Sequence, residues 1–512
     1  MSEPKTVPNF AKIVATIGPS SDSPDAVKRL IEAGVGVFRF NFSHGDLAQH
    51  AVRLKTVRAV ASEMGVQVAC LGDLQGPKIR VGKVPAGVGA ASASGGGSIE
   101  VETGQDVVLS RAADVCSVRQ GAAGPEAVLA LTYKKLVEEV KPGHKVLIND
   151  GAIRMLAVSR EGEDELRCRV VVGGKITSGK GINVPQSDLT APAITDRDWE
   201  CARWAVEQDM DYIALSFVRT ADEVILLKQK IEEMAPGAWI PVVSKIEMPQ
   251  AVANLNSIVE ASDAIMVARG DLGVEMDIAR VPVVQKQIIA ASNEYGKPCI
   301  VATQMLETMI ENSSPTRAEA SDVANAVFDG ADAVMLSAET ATGKHPVLVV
   351  ETMSRIVAAA ECRMRELTVT SGAPMRLHAG HRATAALAHG AWEVARDLGA
   401  TAVACWSQNG GTARYLSQNN FHVPLLAFTS SEQTARRMAL LRGVIPVRNA
   451  PPPSGMLTDW NAMVDRELVK RGLAKPGDPI VLIAGRPLGR AKASNTLAIG
   501  KVGDAGAGFG AS

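Results

Sequence analysis

Lys245 and Glu247 stand two residues apart at the end of an apolar run, in "SKIEMP", and Asp271 ends another such run in "MVARGDLGVE". Residues two apart on a strand share a face. Two carboxylates with hard oxygens suit Mg²⁺, which is held by one or two such groups and keeps its other positions for substrate oxygens. Mn²⁺ takes the same donors. A lysine and a divalent cation facing one cleft fit a dianionic substrate such as a phosphate. Gly270-Asp271-Leu272-Gly273 fits a short helix whose first N–H groups can hold a carboxylate. The plainer alternative for Lys245 and Glu247 is a structural ion pair. A second stretch, "GDLQGPKIR", sets Asp73 at a strand end, then a Gly-Pro turn, then Lys78 and Arg80. These charges either share work on one anionic ligand or decorate the surface.

The elements that must position these groups are short apolar strands, each followed by a helical stretch. The strands are expected at 12–17, 35–40, 66–72, 212–216, 241–244, 264–268, 298–302 and 333–336. Ser23-Pro24 gives one helix a cap and a first-turn proline. Thr195 with Asp198 resembles a capping box, and Gly34 and Gly65 stand where helices should stop. Eight strands alternating with helices predict a parallel (β/α)8 TIM barrel, although a large open sheet has the same alternation. Barrels of this kind carry their chemistry at the carboxyl ends of the strands. Those ends hold Arg39, Asn41, Ser43 and His44, then Asp73, Lys245 and Glu247, Arg269 and Asp271, Thr303 and Gln304, and Ser337 and Glu339. Polar groups commonly cap strands, so convergence of the set counts for more than any member.

Residues 79–179 interrupt the alternation with strand-like runs at 99–102, 107–109, 145–148, 153–158 and 166–172. They read as a β-rich lid domain inserted between a first barrel segment, 1–78, and a second, 180–368. Residues 369–512 open with a linker at 370–374 and then alternate again, with strands at 402–405, 424–428, 445–447 and 480–483. That pattern suits a C-terminal doubly wound α/β domain.

The 512-residue chain is 46% hydrophobic and 21% charged, with net charge −1. This is the composition of a globular protein with large cores, and it argues against wholesale nucleic-acid or membrane binding. Seven scattered cysteines, none as Cys-x-x-Cys, fit a reducing cytoplasm. The first residues are polar and lack a signal-peptide core. Two motifs are set aside. Residues 174–181 nearly spell a P-loop, but Gly181 stands where its hydroxyl should be and "INVPQ" follows instead of a helix. His378 and His381 have loose metal-like spacing without a nearby carboxylate or cysteine.

Taken together, "KIVATIGPSS", "FRFNFSHG", "GDLQGPKIRVG", "SKIEMP", "MVARGDLGVE", "VATQMLETM", "PTRAEASDVANAVFDGADAVMLSAETATGKHP" and "TARRMALLRGVIPV" resemble pyruvate kinase over nearly the whole chain. The resemblance implies phosphoryl transfer from phosphoenolpyruvate to ADP, giving pyruvate and ATP, usually by a homotetramer with a regulatory C-terminal domain. It makes Glu247 and Asp271 the Mg²⁺ ligands. Lys245 and Arg39 become the cations on the transferring phosphoryl group, and Gly270, Asp271 and Thr303 the contacts to the substrate carboxylate. Thr303 or Ser337, through water, becomes the proton source for the enolate. Asn41, Ser43, His44, Arg80 and Arg219 fall on the nucleotide side. Two departures stand out: Met248 where Asn commonly follows "KIE", and Ala338 where Gly is commoner.

Members of this family that need K⁺ hold it with residues matching Asn41, Ser43, Asp73 and a hydroxyl at position 74, and carry Glu at position 78. Here Leu74 offers no oxygen and Lys78 brings its own ammonium. This implies activity without K⁺, with Lys78 facing Asp73 and the substrate phosphate. In the last domain, Ser407, Asn409, Gly411 and Thr412, with Arg486, Arg490 and Lys492, form a candidate pocket for a sugar phosphate or AMP effector. The competing readings are another Mg²⁺ barrel acting on phosphoenolpyruvate or pyruvate, a lyase or mutase, and a catalytically dead metabolite sensor.

Overall fold

The structure is a computed structural model and describes residues 9–88, 90–91, 97–121, 124–237, 239–366, 382–419, 421–485, 488–489 and 494–504. Eight parallel strands close into a barrel: Lys12–Thr16, Val35–Asn41, Ala69–Asp73, Tyr212–Leu215, Val242–Ile246, Ala264–Ala268, Cys299–Ala302 and Ala333–Leu336. Both faces of these strands are buried, so they read as unbroken apolar runs rather than alternating ones. Val14, Val37, Leu71, Met266 and Ile300 fill the interior. Their neighbours Ile13, Phe38, Cys70, Ile265 and Val301 pack outward against the helices.

The helix signals hold. Ser23 accepts from Ala26 N–H ahead of Pro24, and Thr195 and Asp198 form a reciprocal capping box. Gly34 and Gly65 end their helices at φ 117° and 66°, where glycine carries no Cβ penalty. The third strand starts later than expected because Val66 N–H closes the preceding helix onto Ala61 O.

Between the third and fourth strands lies separate β structure with its own apolar core. Its seven-stranded sheet runs Ile182–Asn183, Lys145–Ile148, Ile153–Glu161, Glu165–Val172, Asp106–Ser110, Gly124–Ala130 and Ser117–Gly121. The strand Ile182–Asn183 carries this sheet beyond residue 179, where the sequence placed the end of the insertion. The P-loop-like stretch is the strand Gly174–Thr177, and no helix follows it.

The C-terminal sheet orders its strands Val444–Arg448, Leu425–Thr429, Ala402–Trp406, Pro479–Gly485 and Ser494–Lys501, the last antiparallel. Ala439 and Leu440, just after the helix Glu432–Met438, join the cluster that fills the barrel interior. Arg436 Nε lies 2.8 Å from Asp211 Oδ1, immediately before the fourth strand. This domain therefore closes the end of the barrel opposite the strand carboxyl ends. Six of the seven free cysteines are buried. Among the described residues no helix is long and apolar enough to cross a membrane. The linker at 370–374, His378 and His381 lie outside the described residues.

Candidate active site

At the open end of the barrel, one carboxylate gathers two cations. Arg39 Nε donates to Asp73 Oδ2 at 2.6 Å, and Lys245 Nζ lies 3.4 Å from Asp73 Oδ1. Strand register brings this about: Asn41 pairs with Asp73, which sets Arg39 beside it. Arg39 also donates to Thr16 Oγ1, and Lys245 to Ser216 Oγ at 2.7 Å. Ser216 in turn donates to Leu74 O. Burial alone would raise the Asp73 carboxyl, but Lys245 and Arg39 outweigh it and hold the group below its ordinary range. Burial opposes the Lys245 charge, and Asp73 and Glu247 outweigh it and keep the ammonium protonated. Ser216 escaped the sequence reading because serine ends many strands; only the lysine across from it reveals its use.

Lys245 Nζ is 2.9 Å from Glu247 Oε1, off hydrogen-bond alignment, so that oxygen has no donor among the described residues. Glu247 Oε2 accepts from Phe217 N–H at 2.6 Å. Phe217 sits at φ 54°, a left-handed conformation costly for a bulky residue. Burial pushes the Glu247 carboxyl up to about 7, and the Asp271 charge adds to the rise. Such a carboxylate is short of positive charge, and a hard divalent cation shared with Asp271 would supply it. Among the described residues no group of three or more His, Cys, Asp or Glu side chains forms a closed metal cage. Two hard carboxylate donors are the set that suits Mg²⁺ with open positions for substrate oxygens.

Asp271 sits on the helix Arg269–Glu275. Its Oδ1 is 3.6 Å from Lys78 Nζ, which also lies 3.8 Å from Asp150 Oδ1 of the inserted domain. The expected facing of Lys78 and Asp73 is therefore not found: Asp73 is engaged by Arg39 and Lys245, and Lys78 turns to Asp271. The Gly-Pro turn between them needs its glycine. Gly76 has φ 70°, and a Cβ there would stand 2.8 Å from the Phe217 ring.

Thr303 and Gln304, after the seventh strand, have φ 67° and 54°. Arg269 holds this strained bend by donating to Thr303 O at 2.7 Å while paired with Asp322 at 2.6 Å. The Thr303 hydroxyl is committed twice, donating to Ala302 O and accepting from Gly270 N–H. Ser337 Oγ is buried with no partner among the described residues. Its backbone N–H is held by Glu339 at 2.6 Å.

The nucleotide-side candidates are more dispersed. Asn41 Oδ1 accepts from Ser43 N–H, and the exposed His44 follows. Arg80 donates to Gly179 O across the hinge of the inserted domain. Arg219 is engaged by Glu223 and by the carbonyls of Leu189 and Ala191, so it clamps the returning hinge segment. In the C-terminal domain, Ser407 Oγ accepts from Ala413 N–H, and Thr412 Oγ1 lies 2.6 Å from Ser494 Oγ. Asn409 and Gly411 are exposed beside them. Arg486, Arg490 and Lys492 lie outside the described residues.

Comparison with known proteins agrees with this architecture. Residues 9–350 match the family model "Pyruvate kinase, barrel domain", and residues 385–500 match "Pyruvate kinase, alpha/beta domain". The chain is 39% identical over 497 residues to the pyruvate kinase of Mycobacterium intracellulare, covering 96% of this chain and 98% of the relative. It is 41% identical over 493 residues to that of Corynebacterium glutamicum, with the same coverage. The Thermotoga maritima pyruvate kinase is 38% identical over 491 residues, covering 96% and 99%. Two family models in succession on one chain, near-complete relatives, and a closed barrel with a buried lysine–carboxylate cluster at its mouth converge: the chain belongs to the pyruvate kinase family.

Proposed function

We propose that the chain transfers the phosphoryl group of phosphoenolpyruvate to ADP. The P–O bond to the enolate oxygen breaks, a P–O bond to the terminal ADP oxygen forms, and the released enolate takes a proton at carbon to give pyruvate. The observation that carries this is the buried quartet of Arg39, Asp73, Lys245 and Glu247. Phosphoryl transfer asks a protein mainly for positioning and charge neutralisation. Asp73 pre-orients two cations, so their positive charge is in place before the substrate arrives. Glu247 and Asp271 would hold Mg²⁺, or Mn²⁺ in its place, and the bound metal supplies further neutralisation of phosphoryl oxygens. Gly270, Asp271 and Thr303 are our candidates for the substrate carboxylate. The unpartnered Ser337 hydroxyl favours it over the doubly committed Thr303 as the anchor of the proton-donating water. Asn41, Ser43, His44 and Arg80 remain our nucleotide-side candidates, and Arg219 joins them only indirectly, through the hinge.

We further propose that residues 79–179 act as a lid and that no K⁺ is needed. Ser407 to Thr412 would take the phosphate of a sugar phosphate or AMP effector. A homotetramer in the cytoplasm is our working assembly. An apolar groove between the helices Arg317–Phe328 and Pro346–Glu366, lined by Ala324, Ile356 and the 44% exposed Phe328, supports association. The deciding experiment measures pyruvate from phosphoenolpyruvate and Mg²⁺, with and without ADP. ADP-dependent pyruvate with equimolar ATP is expected. ADP-independent turnover would favour a lyase or mutase, and no turnover would favour a sensor. Screening sugar phosphates and AMP at subsaturating phosphoenolpyruvate, against Thr412→Glu, tests the effector pocket.

A further inference from the structure

Beneath the hinge of the inserted domain, Asn183 Nδ2 donates to Glu275 Oε1 at 2.6 Å. Both residues are at least nine-tenths buried, and Asn183 Oδ1 and Glu275 Oε2 have no partner among the described residues. Asn183 ends the strand that pairs with Lys145–Ile148, so it moves with the lid sheet. Glu275 ends the helix Arg269–Glu275. Four residues separate it from Asp271, so the two carboxylates share one helix face. That face meets the lid hinge at two points: Asp271 with Lys78, itself beside Asp150, and Glu275 with Asn183. Gly181 lets Lys78 pass, since a Cβ there would stand 3.0 Å from Lys78 Cε.

The two ties differ in permanence. A cation taken up by Asp271 competes directly with the Lys78 ammonium. Glu275 lies a turn away and keeps Asn183. We infer that Glu275 and Asn183 are positioning residues, the fixed pivot that keeps the lid registered on the Asp271 helix when Lys78 is released. Burial pushes the Glu275 carboxyl up to about 7, which Asn183 opposes and Asp271 reinforces. The second Glu275 oxygen is buried away from the Lys78 ammonium contact, so Glu275 keeps Asn183 whichever cation Asp271 holds.

This inference rests on the phosphoryl-transfer reading only for its kinetic arm. Amide exchange is measured on the full chain over residues 145–148, 182–184 and 269–276, with and without Mg²⁺, in Asn183→Ala, Glu275→Ala, the double variant and Glu275→Gln. With Mg²⁺, each alanine variant should exchange about tenfold faster in these segments, and without Mg²⁺ no more than about threefold faster, because Lys78 still holds Asp271. The double variant should match the singles, as expected for one shared contact. Glu275→Gln, which can still accept from Asn183, should stay near wild type. Turnover of the alanine variants should fall about tenfold, chiefly in kcat, as lid closure becomes less productive. Exchange that is unchanged, raised uniformly along the chain, insensitive to Mg²⁺, or additive in the double variant would overturn the inference. A wild-type chain that makes no pyruvate would defeat the proposed function but leave the exchange arm standing.

Discussion

Asp73 is shared by Arg39 and Lys245, at 2.6 Å and 3.4 Å, and is itself 1% exposed. Among the described residues Arg39 pairs with no other carboxylate, and Lys245 shares its charge between Asp73 and the equally buried Glu247, so Asp73 is the one group that compensates both cations inside the barrel. Asp73→Asn should therefore destabilise the fold by about 3 kcal/mol near neutral pH, because it leaves buried charge uncompensated. The folded carboxyl titrates below its unfolded value. Its contribution is present above the unfolded value of about 4 and is lost as pH falls through the folded value. The gap between wild type and variant should thus narrow in acid. Denaturant melts across pH, with and without inorganic phosphate, check this; phosphate should restore part of the variant's stability.

Lys245→Met removes the charge aimed at the transferring group while leaving Asp73 paired to Arg39. Turnover should drop by about 10³-fold or more, the scale set by losing one pre-organised electrostatic contact. The melt should also shift down, since Asp73 and Glu247 each give up a buried partner, but the variant should still be folded at the assay temperature. Steady-state kinetics beside a melt decide it, and near wild-type turnover would remove Lys245 from its role.

The barrel was legible because strands buried on both faces leave unbroken apolar runs, and because Ser23, Thr195, Gly34 and Gly65 punctuate the helices. The site was legible at strand ends, where Arg39, Asp73, Lys245, Glu247 and Asp271 could be read off in order. What escaped depends on contacts distant in sequence. Asn183 and Glu275 meet across 92 residues without a local signature of the pairing. The direction of Lys78 follows from Asp73 being already taken, which no spacing reveals. Ala439 and Leu440 fill the barrel floor from another domain, although their stretch reads as an ordinary helix end. Short paired segments such as Ile182–Asn183 are too brief to show a period of two.

Asp332 offers a pH test away from the cleft. It accepts from Cys299 N–H at 2.8 Å and from Gln418 Nε2 at 2.9 Å, joining the barrel to the C-terminal domain. Burial pushes its carboxyl up to about 6 despite those donors. The folded state therefore holds this proton more tightly than the unfolded chain, and the group's contribution to stability declines as pH rises from about 4 to about 6. Asp332→Asn removes that decline. The variant should gain on wild type by on the order of 2 kcal/mol across this interval. Parallel melts at pH 4 and 6.5 measure it, and a constant difference would refute the assignment.

The proposed independence of K⁺ is tested at Lys78. Leu74 is buried and brings no oxygen to the neighbourhood of Asn41, Ser43 and Asp73. The Lys78 ammonium stands on the hinge 3.6 Å from Asp271 rather than at Asp73, and on the proposal that no K⁺ is needed, the tethered charge it brings to the cleft takes over the work of a free cation. A tethered cation needs no binding from solution, so activity should be nearly the same in K⁺-free buffer with tetramethylammonium holding ionic strength. Leu74→Thr/Lys78→Glu removes the tethered charge and adds one hydroxyl and one carboxylate. That variant should show little activity without K⁺ and recover as K⁺ is added. Lys78→Met alone should lose activity in both buffers, since it removes the cation without rebuilding a site. A wild-type enzyme that stays nearly inactive until K⁺ is supplied would overturn this assignment and leave Lys78 with its hinge contacts alone.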